Sequence, residues 1–318
     1  MMKKRQLGQT DIEITPIGLG TWQLSEGVGF NKQFWPGLSQ DVVDSIVKTA
    51  IDGGINWFDT AEIYGNGRSE KDLSAALVKA GIAVGDVVIA DKWWPALKTA
   101  RSIGATIEAR LKCLSPFPIG LYQVHNPSSL SSIEAQMNAM ADLVEAGKIR
   151  AVGVSNFSAK MMRRAHGVLA RRGIPLASNQ VRYNILARHP ETNGVIAAAK
   201  ELGITIICYS PLEFGLLTGK FHRRPDLLRS RPLARRKILA KRIESSRPVI
   251  DVLEEIAAGH DASVSQVALS WLVNYNGDTV VAIPGASRPE HAAESAGTMK
   301  IGLTLEEMER IDKVSRAN

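Results

Sequence analysis

Short apolar runs alternate along this chain with longer stretches in which apolar residues return every three or four positions. Runs of the first kind predict β-strands and stretches of the second kind predict amphipathic helices. The predicted strands are Ile17–Leu19, Ile55–Phe58, Val87–Ala90, Gly120–Val124, Ala151–Val154, Ala177–Val181, Thr205–Cys208 and Val280–Ile283. The predicted helices between them are Asp41–Asp52, Glu70–Lys79, Ala100–Leu114, Ser132–Ala146, Ala159–Arg171, Asn193–Leu202 and Pro248–Gly259. Another begins near Pro289, since proline suits a first helical turn. Parallel strands need crossover connections, so a repeated strand–helix order implies a parallel sheet, and eight such units closing on themselves make a barrel. The predicted fold class is α/β, a single (β/α)8 TIM barrel spanning residues 1–318. An open doubly wound sheet fits less well, because no linker divides the chain into two lobes. An N-terminal β-hairpin around Gly8–Asp11 is expected to plug one end of the barrel. A long loop after strand 7, Leu212–Arg247, has poor periodicity and is expected to cover a ligand.

Composition narrows the class. The 318 residues are 45% hydrophobic and 22% charged, which is globular. No apolar run approaches the roughly 20 residues that span a bilayer, and the basic start, Met1 to Leu7, has no apolar signal segment. Two cysteines, Cys113 and Cys208, imply neither a disulfide framework nor a cysteine zinc site. A cytoplasmic location is expected, with no membrane partner. The net charge of +7 is concentrated: Lys220 to Arg247 holds eleven Lys or Arg and two acidic residues. A solvated loop or a site for a phosphorylated cofactor both fit. Nucleic acid is not expected, because neither a binding motif nor aromatic interleaving accompanies the charge. The six histidines lack metal spacing, so no metal is expected.

Four polar residues change the picture from fold to chemistry. Asp59 ends the second predicted strand, Lys92 follows the third, His125 follows the fourth, and Tyr64 lies on the loop beyond Asp59. Ionisable groups at the ends of successive strands mark a barrel active site. Each alone has a plain explanation: a cap, a solvated lysine, a core histidine, a packing tyrosine. Together they can protonate a carbonyl oxygen.

A dinucleotide fingerprint is missing. Gly18-Leu19-Gly20 and Gly65-Asn66-Gly67 each lack the third glycine, and Tyr64 is followed four residues later by Arg68 rather than Lys. The string Asn56-Trp57-Phe58-Asp59-Thr60-Ala61-Glu62-Ile63-Tyr64-Gly65, however, resembles a signature of the aldo-keto reductases. So does Gly147-Lys148-Ile149-Arg150-Ala151-Val152-Gly153-Val154-Ser155-Asn156-Phe157. Ser178-Asn179-Gln180, Tyr209-Ser210-Pro211-Leu212 and Ile283-Pro284-Gly285 match in the same order. The resemblance covers nearly the whole chain and implies a (β/α)8 barrel and NAD(P)H-dependent carbonyl reduction.

It also implies roles. Tyr64 gives the proton, Lys92 lowers its pKa, Asp59 holds Lys92, and His125 orients the carbonyl. Thr21, Trp22 and Asp59 contribute to the cofactor site. Ser155, Asn156 and Gln180 bind the carboxamide and Tyr209 stacks on the nicotinamide. Ser210, Pro211, Leu212, Gly215, Leu217 and Lys220 lie along the pyrophosphate. Ile283, Gly285, Ser287, Arg288, His291, Glu294 and Ser295 follow the eighth strand, where Ser287, Arg288 and helix amides suit a 2′-phosphate. NADPH is the cofactor expected, with NADH the alternative. The substrate is a small-molecule carbonyl, met by Trp22, Tyr64, Trp93 and His125. Trp94, Phe30, Phe34 and Trp35 can join from loops, with packing the expected role of Trp94 and Trp57. An aromatic pocket favours aromatic or apolar aldehydes. Two alternatives stay open: oxidation of an alcohol by the same groups, and a cofactor-binding regulatory subunit resembling the potassium-channel β-subunits. Oligomeric state is left open.

Overall fold

The structure, a computed structural model, describes residues 3–24, 37–229 and 233–316. Phe30, Phe34 and Trp35 lie outside the described residues. Two short strands, β1 (Arg5–Gln6) and β2 (Glu13–Ile14), pair antiparallel as the expected hairpin. Eight parallel strands follow: β3 (Leu19–Gly20), β4 (Trp57–Asp59), β5 (Val88–Trp93), β6 (Ile119–Val124), β7 (Ile149–Ser155), β8 (Leu176–Arg182), β9 (Thr205–Tyr209) and β10 (Val280–Ala282). They pair in sequence order, and the ring closes where Gly18 N–H donates to Ala282 O at 2.9 Å and Gly20 N–H to Pro284 O at 3.1 Å. The result is the (β/α)8 barrel of the sequence prediction.

The helices are α1 (Gln40–Asp52), α2 (Arg68–Lys79), α3 (Arg101–Leu114), α4 (Ile133–Glu145), α5 (Ala159–Ala170), α6 (His189–Thr192), α7 (Val195–Leu202), α8 (Lys220–Arg223), α9 (Leu233–Ala240), α10 (Ile243–Gly259), α11 (Val264–Asn274), α12 (Pro289–Gly297) and α13 (Leu305–Arg316). Two cores result. The larger lies between strands and helices and holds Phe58, Trp93, Tyr122 and Trp271. The smaller fills the barrel with Trp57, Ala90, Leu121, Ala151, Ala177, Ile207 and Val281, and Leu7, Ile12 and Ile14 of the hairpin close it from below. Gly8 makes that closure fit: at φ +58°, a Cβ there would stand 2.5 Å from the carbonyl oxygen of Ala177. Trp57 packs as expected and donates its indole N–H to Thr15 O at 2.8 Å.

Three expectations are corrected. The helix placed at Pro248–Gly259 begins at Ile243, with Pro248 inside it; the proline forgoes one helical hydrogen bond and the other backbone groups of the helix carry on. Helix α11 is absent from the sequence reading because it is buried nearly all round, which erases the apolar stripe that a 3.6-residue period needs. Its start is nonetheless encoded in a Ser263–Gln266 capping box. The Leu212–Arg247 segment is not a plain loop: it holds a 3₁₀ turn at Glu213–Thr218, α8, a second turn at Pro225–Leu228 and α9. Among the described residues, no helix is long and apolar enough to cross a membrane, and no His, Cys, Asp and Glu cluster could hold a metal.

Candidate active site

Strand ends deliver the polar residues to one mouth of the barrel. Lys92 near the end of β5 points inward and is fully closed to solvent. Its ammonium donates to Asp59 Oδ1 and, at 2.7 Å, to the carbonyl oxygen of Thr60. It also stands 5.1 Å from the centre of the Tyr64 ring and interacts with that hydroxyl. Asp59 is further held by Gln180 Nε2 at 2.8 Å and Gln123 Nε2 at 3.2 Å, both donating to Oδ2. Gln123 was not singled out in the sequence. The period of two counted back from His125 places it on the inward face of β6, and that signal could have found it.

His125 lies 5.8 Å from Tyr64 and 5.1 Å from Trp94, ring centre to ring centre, in edge-to-face contacts. Burial, followed by the nearby Lys92 cation, lowers its pKa to about 3, so the imidazole is neutral at physiological pH. Its Nδ1 is buried without a partner. Tyr64 departs from the sequence expectation. Although part of its ring faces the open cavity, burial of the hydroxyl raises its pKa, and this outweighs the opposing pull of Lys92. For Lys92 itself, burial pushes the pKa down most strongly, but Asp59 and Tyr64 together leave it above the ordinary lysine value.

Asp59, Tyr64, His125 and Gln180 line a cavity of about 2440 Å³, from which Lys92 and Gln123 are closed off. Single-ligand pockets measure roughly 300–1,000 Å³, so there is room for an extended molecule and a second one. Its wall includes Thr21, Trp22, Asp59, Tyr64, His125, Ser155, Asn156, Gln180, Tyr209, Ser210, Pro211, Leu212, Gly215, Lys220, Ile283, Gly285, Ser287, Arg288, His291, Glu294 and Ser295, all of them sequence candidates.

Three candidates are not on that wall: Trp93, Leu217 and Lys92, the last closed off beside Asp59 and Tyr64. Trp93 is fully buried in the outer core, and its indole N–H meets Ser102 Oγ at 3.0 Å. Neighbouring strand residues face opposite ways, so an inward Lys92 sends Trp93 outward. Trp94, assigned to packing, lines the cavity instead. Leu217 is fully buried and belongs to the core.

The loop after β9 is strained and anchored. Ser210, Glu213 and Phe214 have φ of 50°, 47° and 52°, a region that non-glycine residues seldom occupy. Buried Glu213, missed in the sequence, holds the turn through Arg182, through Asn184 at 2.8 Å and through Arg242 at 2.6 Å. Asn156, also at positive φ, accepts from the Tyr209 hydroxyl at 3.1 Å and fixes the ring edge. At the start of α12, His291 Nε2 lies 3.3 Å from Arg288 Nη2. Burial, then Arg288 and Lys220, lower the His291 pKa, so three cationic or protonatable groups meet there.

Residues 16–316 match the model of the aldo/keto reductase family. The chain belongs to that family. An uncharacterized oxidoreductase of Mycobacterium tuberculosis is 37% identical over 310 residues, covering 96% of this chain and 90% of the relative. Aldo-keto reductase YhdN of Bacillus subtilis is 33% identical over 302 residues, covering 91% and 86%. Among solved structures, a thermostable aldo-keto reductase in complex with the inhibitor epalrestat superimposes with a TM-score of 0.78 at 32% identity, covering 98% of this chain and 100% of that one. This aldo-keto reductase is therefore an NAD(P)H-dependent oxidoreductase.

The wall fits a nicotinamide cofactor by the chemistry of its donors. Hydroxyl and amide groups of Ser155, Asn156 and Gln180 line the cavity, as do a half-buried Tyr209 ring and the Arg288–His291–Lys220 group. Because Gln180 turns its N–H toward Asp59, its carbonyl oxygen is left to accept from a carboxamide.

Proposed function

We propose that this enzyme reduces aldehydes or ketones to alcohols with NADPH, and that Tyr64 supplies the proton. Bound in the cavity, the reduced nicotinamide supplies a hydride to the carbonyl carbon. Ser155, Asn156 and Gln180 would hold its carboxamide, Tyr209 its ring, the Ser210–Gly215 loop and Lys220 its pyrophosphate, and Ser287, Arg288 and His291 a 2′-phosphate.

The protein's own groups handle the oxygen. Tyr64 keeps its proton at neutral pH because its hydroxyl is buried. When it donates that proton, the adjacent Lys92 ammonium stabilises the phenolate left behind. Asp59, Gln123 and Gln180 hold Lys92 and its counter-charge in place. Neutral His125 donates a hydrogen bond to the carbonyl oxygen and favours the charge growing there. Trp22 and Trp94 bound the substrate side, which suits flat or apolar aldehydes.

Tyr64 and His125 side by side on the cavity wall, with the buried Lys92 ammonium 5.1 Å from the tyrosine ring centre, carry this reading. A proton-loaded Tyr64 supports reduction over alcohol oxidation, which would need the phenolate as base. The test is consumption of NADPH with p-nitrobenzaldehyde, run beside NADH and beside Tyr64→Phe. General acid catalysis contributes about 10²–10⁴-fold, so the variant should lose at least about 10² in kcat while still binding NADPH. Turnover equal to the parent's would remove Tyr64 as the acid.

A further inference from the structure

Behind the barrel wall, outside the cavity, lies a second buried group of ionisable side chains. Asp91 precedes Lys92 on β5 and therefore points outward, toward α2 and α3. Glu70 in the first turn of α2 faces it within hydrogen-bond reach. Both carboxyl groups are fully closed to solvent. One oxygen of each has a partner: Asp91 Oδ1 accepts the Lys92 backbone N–H at 2.8 Å, and Glu70 Oε2 accepts from Arg110 Nη1 at 3.1 Å. The other two oxygens, Asp91 Oδ2 and Glu70 Oε1, have none.

Two buried carboxylates facing each other without a donor would be unstable, and a proton between them satisfies both acceptors at once. The surrounding charges agree. Glu62 is bonded to Lys98 Nζ at 2.7 Å and lies 4.0 Å from Arg110. With one shared proton, the pair and Glu62 carry two negative charges, matched by Arg110 and Lys98. With none, three carboxylates would face two cations, since the nearby Lys92 ammonium is already paired with Asp59. Tyr122, whose Oη has no partner, and Cys113 complete the surroundings from β6 and α3 and bring no positive charge. Burial raises the proton affinity of both carboxyls.

We propose that Glu70 and Asp91 hold one proton between them, and that the single negative charge they keep is a positioning device for Lys92, acting from the outer face of its strand. Asp91 grips the Lys92 peptide and adds to the negative field that keeps the ammonium charged. The pair touches no reacting atom. The proposal rests on the assignment of Lys92 to the proton-transfer site, and its first readout is independent of that assignment.

Difference infrared spectra of the full-length protein test the shared proton directly. A protonated-carboxyl band is expected near neutral pH in the parent and absent from both Glu70→Gln and Asp91→Asn, since either amide replaces the proton. A parent spectrum without that band overturns the shared proton, whatever Tyr64 does. The second readout is the alkaline limb of kcat against pH. Each single variant keeps one negative charge and should leave the limb in place. The double variant Glu70→Gln/Asp91→Asn removes the charge and should move the limb down by about half a pH unit or more. An unmoved limb in the double variant overturns the positioning role. A single variant that moves it about half as far as the double shows a doubly ionised pair and overturns the proposal too. Loss of the Tyr64 assignment alone would leave the infrared result untouched.

Discussion

Lys92 donates to Asp59 at the mouth of the barrel, and the two side chains are 0% and 2% exposed. An ion pair this deep is costly to form and costlier to break, because removing one partner leaves a charge in a poorly solvating place. Around it, two glutamine amides and a peptide carbonyl complete the hydrogen bonding.

Asp59→Asn should therefore cost about 3–5 kcal/mol of folding stability. It should also cut kcat more than it raises KM, since the substrate does not need Asp59 to enter. Urea denaturation and steady-state kinetics of the same preparation check both. Unchanged stability would mean that Lys92 sheds its proton instead of remaining charged.

The adjacent tryptophans should behave as opposites. Trp93→Ala empties a site in the outer core and should destabilise the fold by about 3–5 kcal/mol, with KM unchanged in the folded enzyme. Trp94→Ala removes part of the cavity wall and should raise KM for aromatic aldehydes by about tenfold, roughly 1.4 kcal/mol of lost contact, with little effect on melting temperature. The reverse pattern would put Trp93 in the pocket.

His125 sets an acid-side dependence. Its folded pKa, about 3, lies below the ordinary 6.5, so the unfolded chain binds a proton that the folded chain refuses. The stability it contributes is present above about pH 6.5 and is lost as pH falls toward the folded value. His125→Gln should flatten the stability–pH curve across that window, measured by denaturation midpoints. A parent curve that does not fall with acid would show that His125 is not held neutral.

Arg288 lies on the exposed side of the group at the start of α12, beside His291 and Lys220. Arg288→Ala should weaken NADPH binding by about tenfold or more and NADH binding little, measured by fluorescence titration. Equal losses would show that Arg288 does not read the 2′-phosphate.

The sequence shows the barrel through its strand–helix order, because each unit encodes its own period and helix starts such as that of α11 carry their capping residues. It also shows Asp59, Tyr64, Lys92 and His125, because strand ends on one face of a barrel must meet. Helix α11 escaped the periodicity test because it is apolar on every side, a consequence of what surrounds it. Gln123 and Glu213 escaped because a polar residue inside a strand or loop has many fates until its partners are in place.

Other properties belong to the tertiary structure alone. The sequence puts Lys92 within reach of Tyr64 and so suggests a lowered phenol pKa, but burial opposes the cation and wins. Which of Trp93 and Trp94 lines the cavity follows from the direction of Lys92. The facing of Glu70 and Asp91 arises only when α2 packs on β5. Local pattern determines which elements form, since helix and strand periods are short-range. Proton affinities and side-chain partners are decided by packing, since they depend on which charges and how little water the whole fold leaves around each group.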